Sequence, residues 1–333
     1  MSNAFEIDFS PCINKKNLLA FSAGIDSTAL FFLLLDAEIP FDIAIVNYNT
    51  RPSSLDELAY AQSLAKQYSK KIFFLESTLS DSALEHKARK IRYDFFESII
   101  NEHYYENLLT AHQLNDQLEW FLMQLAKGAG ALELLGMQKQ LNQKNYTLLK
   151  PLLEISKEQL QNYLDQKGLQ YFIDESNEDQ SFQRNYFRHN FSDALIKKYQ
   201  KGINRSFFYL AKDKALLLED SKEITLKKLT IIKASSARCR LYHIDKTLKR
   251  CGYILSTKQR QEINKHPSVI ISERFAIEQK GDLAFIAPFV DKSMEKHFKE
   301  ACRTLKIPEK IRPYLFVSGI DLNDLQKQIL ALL

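Results

Sequence analysis

An apolar run, Leu18 to Phe21, is followed at once by Ser22-Ala23-Gly24-Ile25-Asp26-Ser27-Thr28 and then by a second apolar run, Ala29 to Leu35. A turn of small residues between a buried strand and a helix lets backbone N–H groups close on an anion, and the helix N-terminus adds the positive end of its dipole. The hydroxyls of Ser22, Ser27 and Thr28 can add donors, and Asp26 can hold a magnesium ion that bridges phosphates. The segment therefore reads as a phosphate cradle. The competing reading is a plain strand-to-helix turn in which Asp26 or Ser27 is the N-cap. The pattern is neither the Walker A loop nor the dinucleotide G-x-G-x-x-G loop. Ala23 is tolerable in such a turn at little cost if its φ is negative.

Other residues able to do chemistry recur at the ends of apolar runs. His112 and Asp116 are four apart after Leu108 to Ala111, with Glu119 three further on. If a helix begins near His112, His112 and Asp116 share a face. Arg89 and Arg92, three apart, lie on one face of a helix and suit a phosphate backbone; a surface ion-pair role is the alternative. Asn47 follows the run Phe41 to Val46, and Arg184 and Arg188 follow a polar stretch, Asp174 to Arg184, that lacks Gly and Pro.

These groups need a scaffold, and the first half of the chain supplies the pattern of one. Strands are expected at 18–21, 41–46, 71–75 and 108–111, with a weak fifth at 147–149. Helices are expected at 28–35, 55–67, 84–103, 116–126 and 156–168. Alternation of this kind gives an α/β fold, a doubly wound parallel sheet whose ligand sits at the carboxyl ends of the strands. Beyond about residue 205 the period becomes helical, with helices expected at 206–229, 238–251 and 257–265 and a small β-hairpin across 268–286, turning at Lys280-Gly281-Asp282. The domains expected are 1–205, catalytic, and 206–333, mainly helical.

Charge divides along a similar line. Residues 1–190 carry 18 Lys and Arg against 25 Asp and Glu, a balance of −7, whereas residues 191–333 carry 28 against 16, a balance of +12. The second half is a candidate polyanion surface, or simply a helical module with solvated lysine faces. The four cysteines, Cys12, Cys239, Cys251 and Cys302, show neither C-x-x-C pairing nor metal-ligand spacing. No membrane span and no secretory leader is legible, so a cytoplasmic location is expected.

A series of ordered segments between about residues 18 and 190 resembles one family. The Ser22 to Ser27 loop resembles the S-G-G-x-D-S signature of the PP-loop ATP pyrophosphatases, with Ala23 in place of the first glycine. Asn47 and Arg51 match the V-[DN]-H-x-L-R segment of the tRNA(Ile)-lysidine synthetase family, from which Tyr48 and Thr50 depart. Glu85 to Tyr93 resembles its E-x-x-A-R-x-x-R-Y helix, and Ala111 to Glu119 its A-H-x-x-D-D-Q-x-E-T element, with Asn115 and Trp120 departing. Lys127 to Met137 is similar to its glycine loop, and Lys150-Pro151-Leu152-Leu153 to its R-P-L-L. Asp174, Ser176, Asn177, Arg184, Asn185 and Arg188 match D-x-S-N…R-N-x-x-R, the most discriminating element.

The resemblance implies a PP-loop α/β fold and a ligase that uses ATP and Mg to attach free lysine to C2 of the wobble cytidine of tRNA(Ile) with a CAU anticodon, through an adenylated tRNA. It implies ATP contacts by Ser22, Ala23, Gly24, Ile25, Asp26, Ser27, Thr28, Asn47, Arg184 and Arg188. Arg89 and Arg92 would meet tRNA. The expected catalytic residues are Asp26, Asp116, His112 and Glu119, with Asp116 and then Glu119 as candidate proton acceptors. A tRNA thiolase, a glutamine-dependent amidotransferase of the same fold and a non-catalytic nucleotide sensor stay open at this point. So does the oligomeric state, a homodimer included.

Overall fold

A computed structural model describes residues 6–49, 53–77, 84–173 and 182–332. The chain divides into two compact units, 1–209 and 210–333, and the division falls inside one helix, α8, Asp193–Leu218.

The first unit is built on a six-stranded sheet. Its strands are β1 (Asn17–Phe21), β2 (Phe41–Asn47), β3 (Ile72–Glu76), β4 (Asn107–Leu109), β5 (Gln140–Asn142) and β6 (Thr147–Leu149), in the order β3-β2-β1-β4-β6-β5. All neighbours are parallel except β5, which runs antiparallel to β6. Between them lie α1 (Ile25–Asp36), α2 (Ser53–Gln67), α3 (Leu84–His103), α4 (Leu114–Ala126) and α5 (Ala131–Leu134), and after β6 come α6 (Lys157–Gln166) and α7 (Gln183–Phe187). Leu18 and Leu19 of β1 point to opposite faces and both are fully buried, which is what a parallel strand covered on two sides requires. Helix α1 is apolar nearly all round because it packs on the sheet and also against α6 and the Tyr68 ring.

Strand order reverses between β1 and β4, so the crevice beyond their carboxyl ends is the topological switch point. The segments that leave those two strands, Ser22 to Thr28 and Thr110 to Asp116, are brought together there by topology.

The second unit holds β7 (Lys222–Leu226), β8 (Leu229–Lys233), β9 (Ser268–Ile271), β10 (Phe275–Lys280) and β11 (Leu283–Pro288), all antiparallel in the order β7-β8-β11-β10-β9. Its helices are α9 (Ala237–Arg250), α10 (Thr257–Lys265), α11 (Lys296–Thr304), α12 (Arg312–Ser318) and α13 (Leu322–Leu332). The hairpin expected at 268–286 is present as β10–β11, turning at Gly281 with φ +58°, but it belongs to a five-stranded sheet. The helix expected at 206–229 ends at Leu218, and 222–233 form a second hairpin. Its turn carries positive φ on Lys227 rather than on a glycine or asparagine, so the sequence gives no turn signal there. Among the described residues no helix is long and apolar enough to cross a membrane.

Candidate active site

The loop after β1 is held by its own hydroxyls. The Ser22 amide donates to Ser27 Oγ at 3.2 Å, the two seryl oxygens lie 3.1 Å apart, and Ser27 Oγ donates to the Gly24 carbonyl at 3.2 Å. Gly24 is the residue before α1, so the helix N-terminus opens on the crevice. The segment after α6 fastens the turn from outside, with the Phe172 amide donating to the Ala23 carbonyl at 2.9 Å. Ala23 is buried with φ +59°, so the condition under which an alanine costs little is not met. The left-handed conformation costs a non-glycine residue about 1–2 kcal/mol, and the loop keeps it.

Among the described residues, Asp26 Oδ1 and Thr28 Oγ1 are buried without a hydrogen-bond partner, as is Asn47 Nδ2 at the end of β2. Burial pushes the Asp26 carboxyl up to about 7, reinforced by the charges of Asp116 and Glu119 and opposed by those of Lys157 and Arg188. Buried polar atoms are nearly always paired, so three orphans around one crevice mark a place built for another molecule.

Across the crevice α4 starts at Leu114, not near His112. Gln113 is its N-cap, accepting from the Asn115 amide, while Asp116 Oδ2 accepts from the Gln113 amide at 3.0 Å. His112 and Asp116 are therefore not on a common helical face. They are neighbours because Asp116 folds back over the cap, and its charge supports protonation of the imidazole. Burial outweighs that support and, with Lys150, Arg184 and Arg89, lowers His112 to about 4; the ring is neutral at pH 7 and its Nδ1 lies 3.0 Å from Thr110 Oγ1.

Asp116 and Glu119, three apart, do share a face, and both are buried. Arg184 joins them, with Nη2 at 2.5 Å from Asp116 Oδ1 and Nε at 2.8 Å from Glu119 Oε2. Arg188 Nε meets Glu119 Oε1 at 2.7 Å. Burial works upward on Asp116, but Arg184, His112 and the Gln113 amide hold its carboxyl below the usual range. Burial raises the Glu119 carboxyl, reinforced by the charge of Asp116 and opposed by its hydrogen bond with Arg188 and by the charges of Arg188 and Arg184. Arg188 opens a π-helical turn, Arg188–Ser192, a distortion frequent at functional sites.

A PP-loop domain family matches residues 3–195. The tRNA(Ile)-lysidine synthase of Campylobacter jejuni is 43% identical over 311 residues, 93% of this chain and 95% of that one. That of Helicobacter pylori is 42% identical over 315 residues, 94% and 93% of the two chains. This chain belongs to the tRNA(Ile)-lysidine synthase family. Among solved structures, a U34-tRNA thiolase from Methanococcus maripaludis is similar to it in fold, with a TM-score of 0.50 at 19% identity over 60% of this chain and 72% of that one.

In this lysidine synthase-family chain the crevice gathers most of the residues expected from sequence: the Ser22–Thr28 loop and Asn47 on one side, His112, Asp116, Glu119, Arg184 and Arg188 on the other. Arg89 is exposed on α3, its guanidinium over the Tyr93 ring at 4.7 Å, yet its charge reaches His112 and Lys150. Arg92 is exposed on the same helix and joins none of these interactions among the described residues. Arg51, Asp174, Ser176 and Asn177 lie outside the described residues, as does the side chain of Glu85.

The departures have local explanations. Asn115 donates from Nδ2 to Asp193 Oδ1 at 2.7 Å and accepts from the Lys157 amide at 3.1 Å, so a carboxylate there would face another carboxylate. Trp120 lies against Gly136, where a Cβ would come within 2.0 Å of the indole nitrogen. Two cations escaped the sequence reading. Lys157, whose charge acts on Asp26, is the first residue of α6, where a cation opposes the helix dipole. Lys150, buried at the end of β6, was visible as a lysine at a strand's carboxyl end.

For magnesium the test is the donor set. No cluster of three or more His, Cys, Asp or Glu able to hold a metal is present among the described residues. Mg²⁺ however needs only one or two carboxylates besides phosphate oxygens and water, and the orphaned Asp26 Oδ1 fits that demand.

Proposed function

We propose that this crevice adenylates the wobble cytidine of tRNA(Ile) bearing a CAU anticodon and then joins free lysine to C2 of that base. The observation that carries the reading is the set of buried, unpartnered atoms of Asp26 and Thr28 in the loop after β1. Loop amides, hydroxyls and the α1 N-terminus are donors placed before charge develops, which is usually the largest catalytic contribution. They suit the pyrophosphate that leaves when cytidine O2 attacks the α-phosphorus of ATP. Asp26 is the residue that would hold magnesium accompanying the nucleotide, whose chemistry there is to neutralise phosphate charge.

In the second step the lysine ε-amine attacks C2, the C2–O2 bond breaks, and AMP leaves with that oxygen. The amine must be neutral to attack, while free lysine with a pKa of about 10.4 is protonated at pH 7. Asp116 is the proposed acceptor of the proton and Glu119 its alternate. Both are engaged by arginine, so their basicity depends on where Arg184 points. Arg184 is the more exposed of the two arginines, its side chain 41% accessible against 10% for Arg188. Turning it onto the nucleotide phosphates would remove a counter-charge from Asp116 and Glu119 together, making proton acceptors available once ATP is seated. The basic residues 206–333 are proposed to grip the tRNA body through phosphates.

Mass analysis of tRNA nucleosides after incubation with ATP and lysine tests the reading. A lysine adduct on cytidine, with AMP released, is expected. Nucleotide binding without AMP release in the presence of tRNA and lysine would leave a sensor instead.

A further inference from the structure

Lys150 is 8% exposed, and among the described residues its ammonium has no hydrogen-bond or ion-pair partner. A buried charge without a counter-charge is costly unless something else supplies one. Besides burial, the charge acting on it is another cation, Arg89.

Backbone register shows how these groups meet. Leu109 of β4 pairs with Leu149 of β6, and the Thr110 amide donates to the Leu149 carbonyl at 3.0 Å, so Lys150 leaves the sheet beside Thr110. His112 is tied to Thr110 by its Nδ1. Helix α3 is fastened over the same end of the sheet, with the Tyr48 hydroxyl donating to the Ala88 carbonyl at 2.7 Å, and Arg89 is the next residue. Arg89 and Lys150 each act electrostatically on His112 in the same direction, against protonation. Two cations and a neutral imidazole thus converge at the carboxyl ends of β4 and β6. Among the described residues the opposite charge acting on His112 is that of Asp116, and Arg184 already occupies it.

We propose that Lys150, Arg89 and His112 form a second phosphoryl-binding subsite, separate from the Ser22–Thr28 loop. Resting on the function proposed above, it takes a phosphodiester of the RNA next to the target base. An RNA phosphate and a nucleotide phosphate share the chemistry, so the test carries both. The ammonium supplies the point charge, the exposed guanidinium a planar fork and the imidazole a neutral hydrogen-bond partner. A phosphate there would give Lys150 the counter-charge that no described residue provides, where burial and the charge of Arg89 already lower its pKa to about 8.

The experiment measures tRNA and ATP affinity on the full chain for wild type, Lys150→Gln, Lys150→Arg and Arg89→Gln, with tRNA followed across salt. Expected for Lys150→Gln is tRNA binding about tenfold weaker and a log–log salt slope lower by about one, with ATP affinity within about twofold. Lys150→Arg should restore tRNA binding, because it keeps the charge. Arg89→Gln, at an exposed position that leaves the core intact, should repeat the direction should Lys150→Gln fail to fold. Loss of ATP affinity with tRNA binding unchanged would keep the subsite and assign it to the nucleotide. Unchanged affinity for both ligands would overturn it. Wild-type protein that fails to bind tRNA would sink the proposed function instead, leaving the ATP arm to decide the subsite.

Discussion

On the β1 side of the crevice Asp26 Oδ1, Thr28 Oγ1 and Asn47 Nδ2 are buried with no partner among the described residues, whereas on the α4 side Asp116, Glu119, Arg184 and Arg188 satisfy one another at 2.5–3.3 Å. The first wall is left under-satisfied at a cost of about 1–3 kcal/mol per orphan, and an incoming polar ligand recovers that cost. Binding there needs no rearrangement of side-chain partners. The second wall is already neutralised, so any ligand it takes must displace an existing ion pair. On the function proposed above, such a site would bind first through the loop and change its acid–base character second.

The largest effect should come from emptying the first wall. Asp26→Ala should lower ATP-dependent pyrophosphate release by about 10³-fold while the protein stays folded; undiminished release would remove Asp26 from the mechanism. Stability offers a second readout with a definite sign. Because the folded carboxyl is raised to about 7, its contribution is fully present below the unfolded carboxylate value and is lost as pH rises through about 7. Melting temperatures of Asp26→Ala should therefore fall less between pH 4 and 8 than those of wild type.

Breaking the second wall should show mainly as lost stability. Glu119→Gln leaves two arginines short of a buried counter-charge and should cost about 3–5 kcal/mol, read by denaturant unfolding. A wild-type midpoint would mean that the carboxylate–arginine cluster does not support the fold. Asp116→Asn is milder and separates the two steps. Rapid-quench analysis with labelled ATP should find adenylated tRNA accumulating and lysidine formation slowed about 10²-fold, recovering partly at high pH where more lysine is neutral. Loss of adenylation itself would move Asp116 to the nucleotide and leave Glu119 as the acceptor.

Smaller effects test the edges of the comparison. With Lys150 near 8 and faced by Arg89 and His112, with Asp116 beyond, tRNA affinity should decline as pH rises from 7 to 9. Lys150→Arg should flatten that decline, and identical profiles would detach Lys150 from the effect. Ala23→Gly relieves the left-handed alanine but frees the unfolded chain, so stability should change by no more than about 1 kcal/mol with pyrophosphate release retained.

The parallel sheet was legible because each buried strand is a short apolar run ending in a polar turn, as at Phe21 and Val46. Edge strand β5 was not legible, because Gln140–Asn142 is polar and held only by pairing with β6. In the second unit the turn at Lys227 hid a hairpin. Spacing put His112 and Asp116 on one face only if a helix began near His112, and it could not reveal that the helix begins at Leu114, with Gln113 capping it and Asp116 turned back toward His112. Nor could it show that Arg184 and Arg188, some 65 residues downstream, neutralise Asp116 and Glu119. Lys150 stood in plain view within a recognised motif, and only its burial without a partner gave it a role.

The contact between Trp120 and Gly136 has an optical consequence. Trp120 is the chain's single tryptophan, and it directly follows Glu119 on α4. All indole emission therefore reports one environment, a partly exposed ring against the Gly136 backbone, one residue along α4 from the carboxylate that both arginines share. Unlabelled protein thus carries its own fluorophore on the helix that bears Asp116 and Glu119, and nucleotide or RNA titrations can be followed from it without modification.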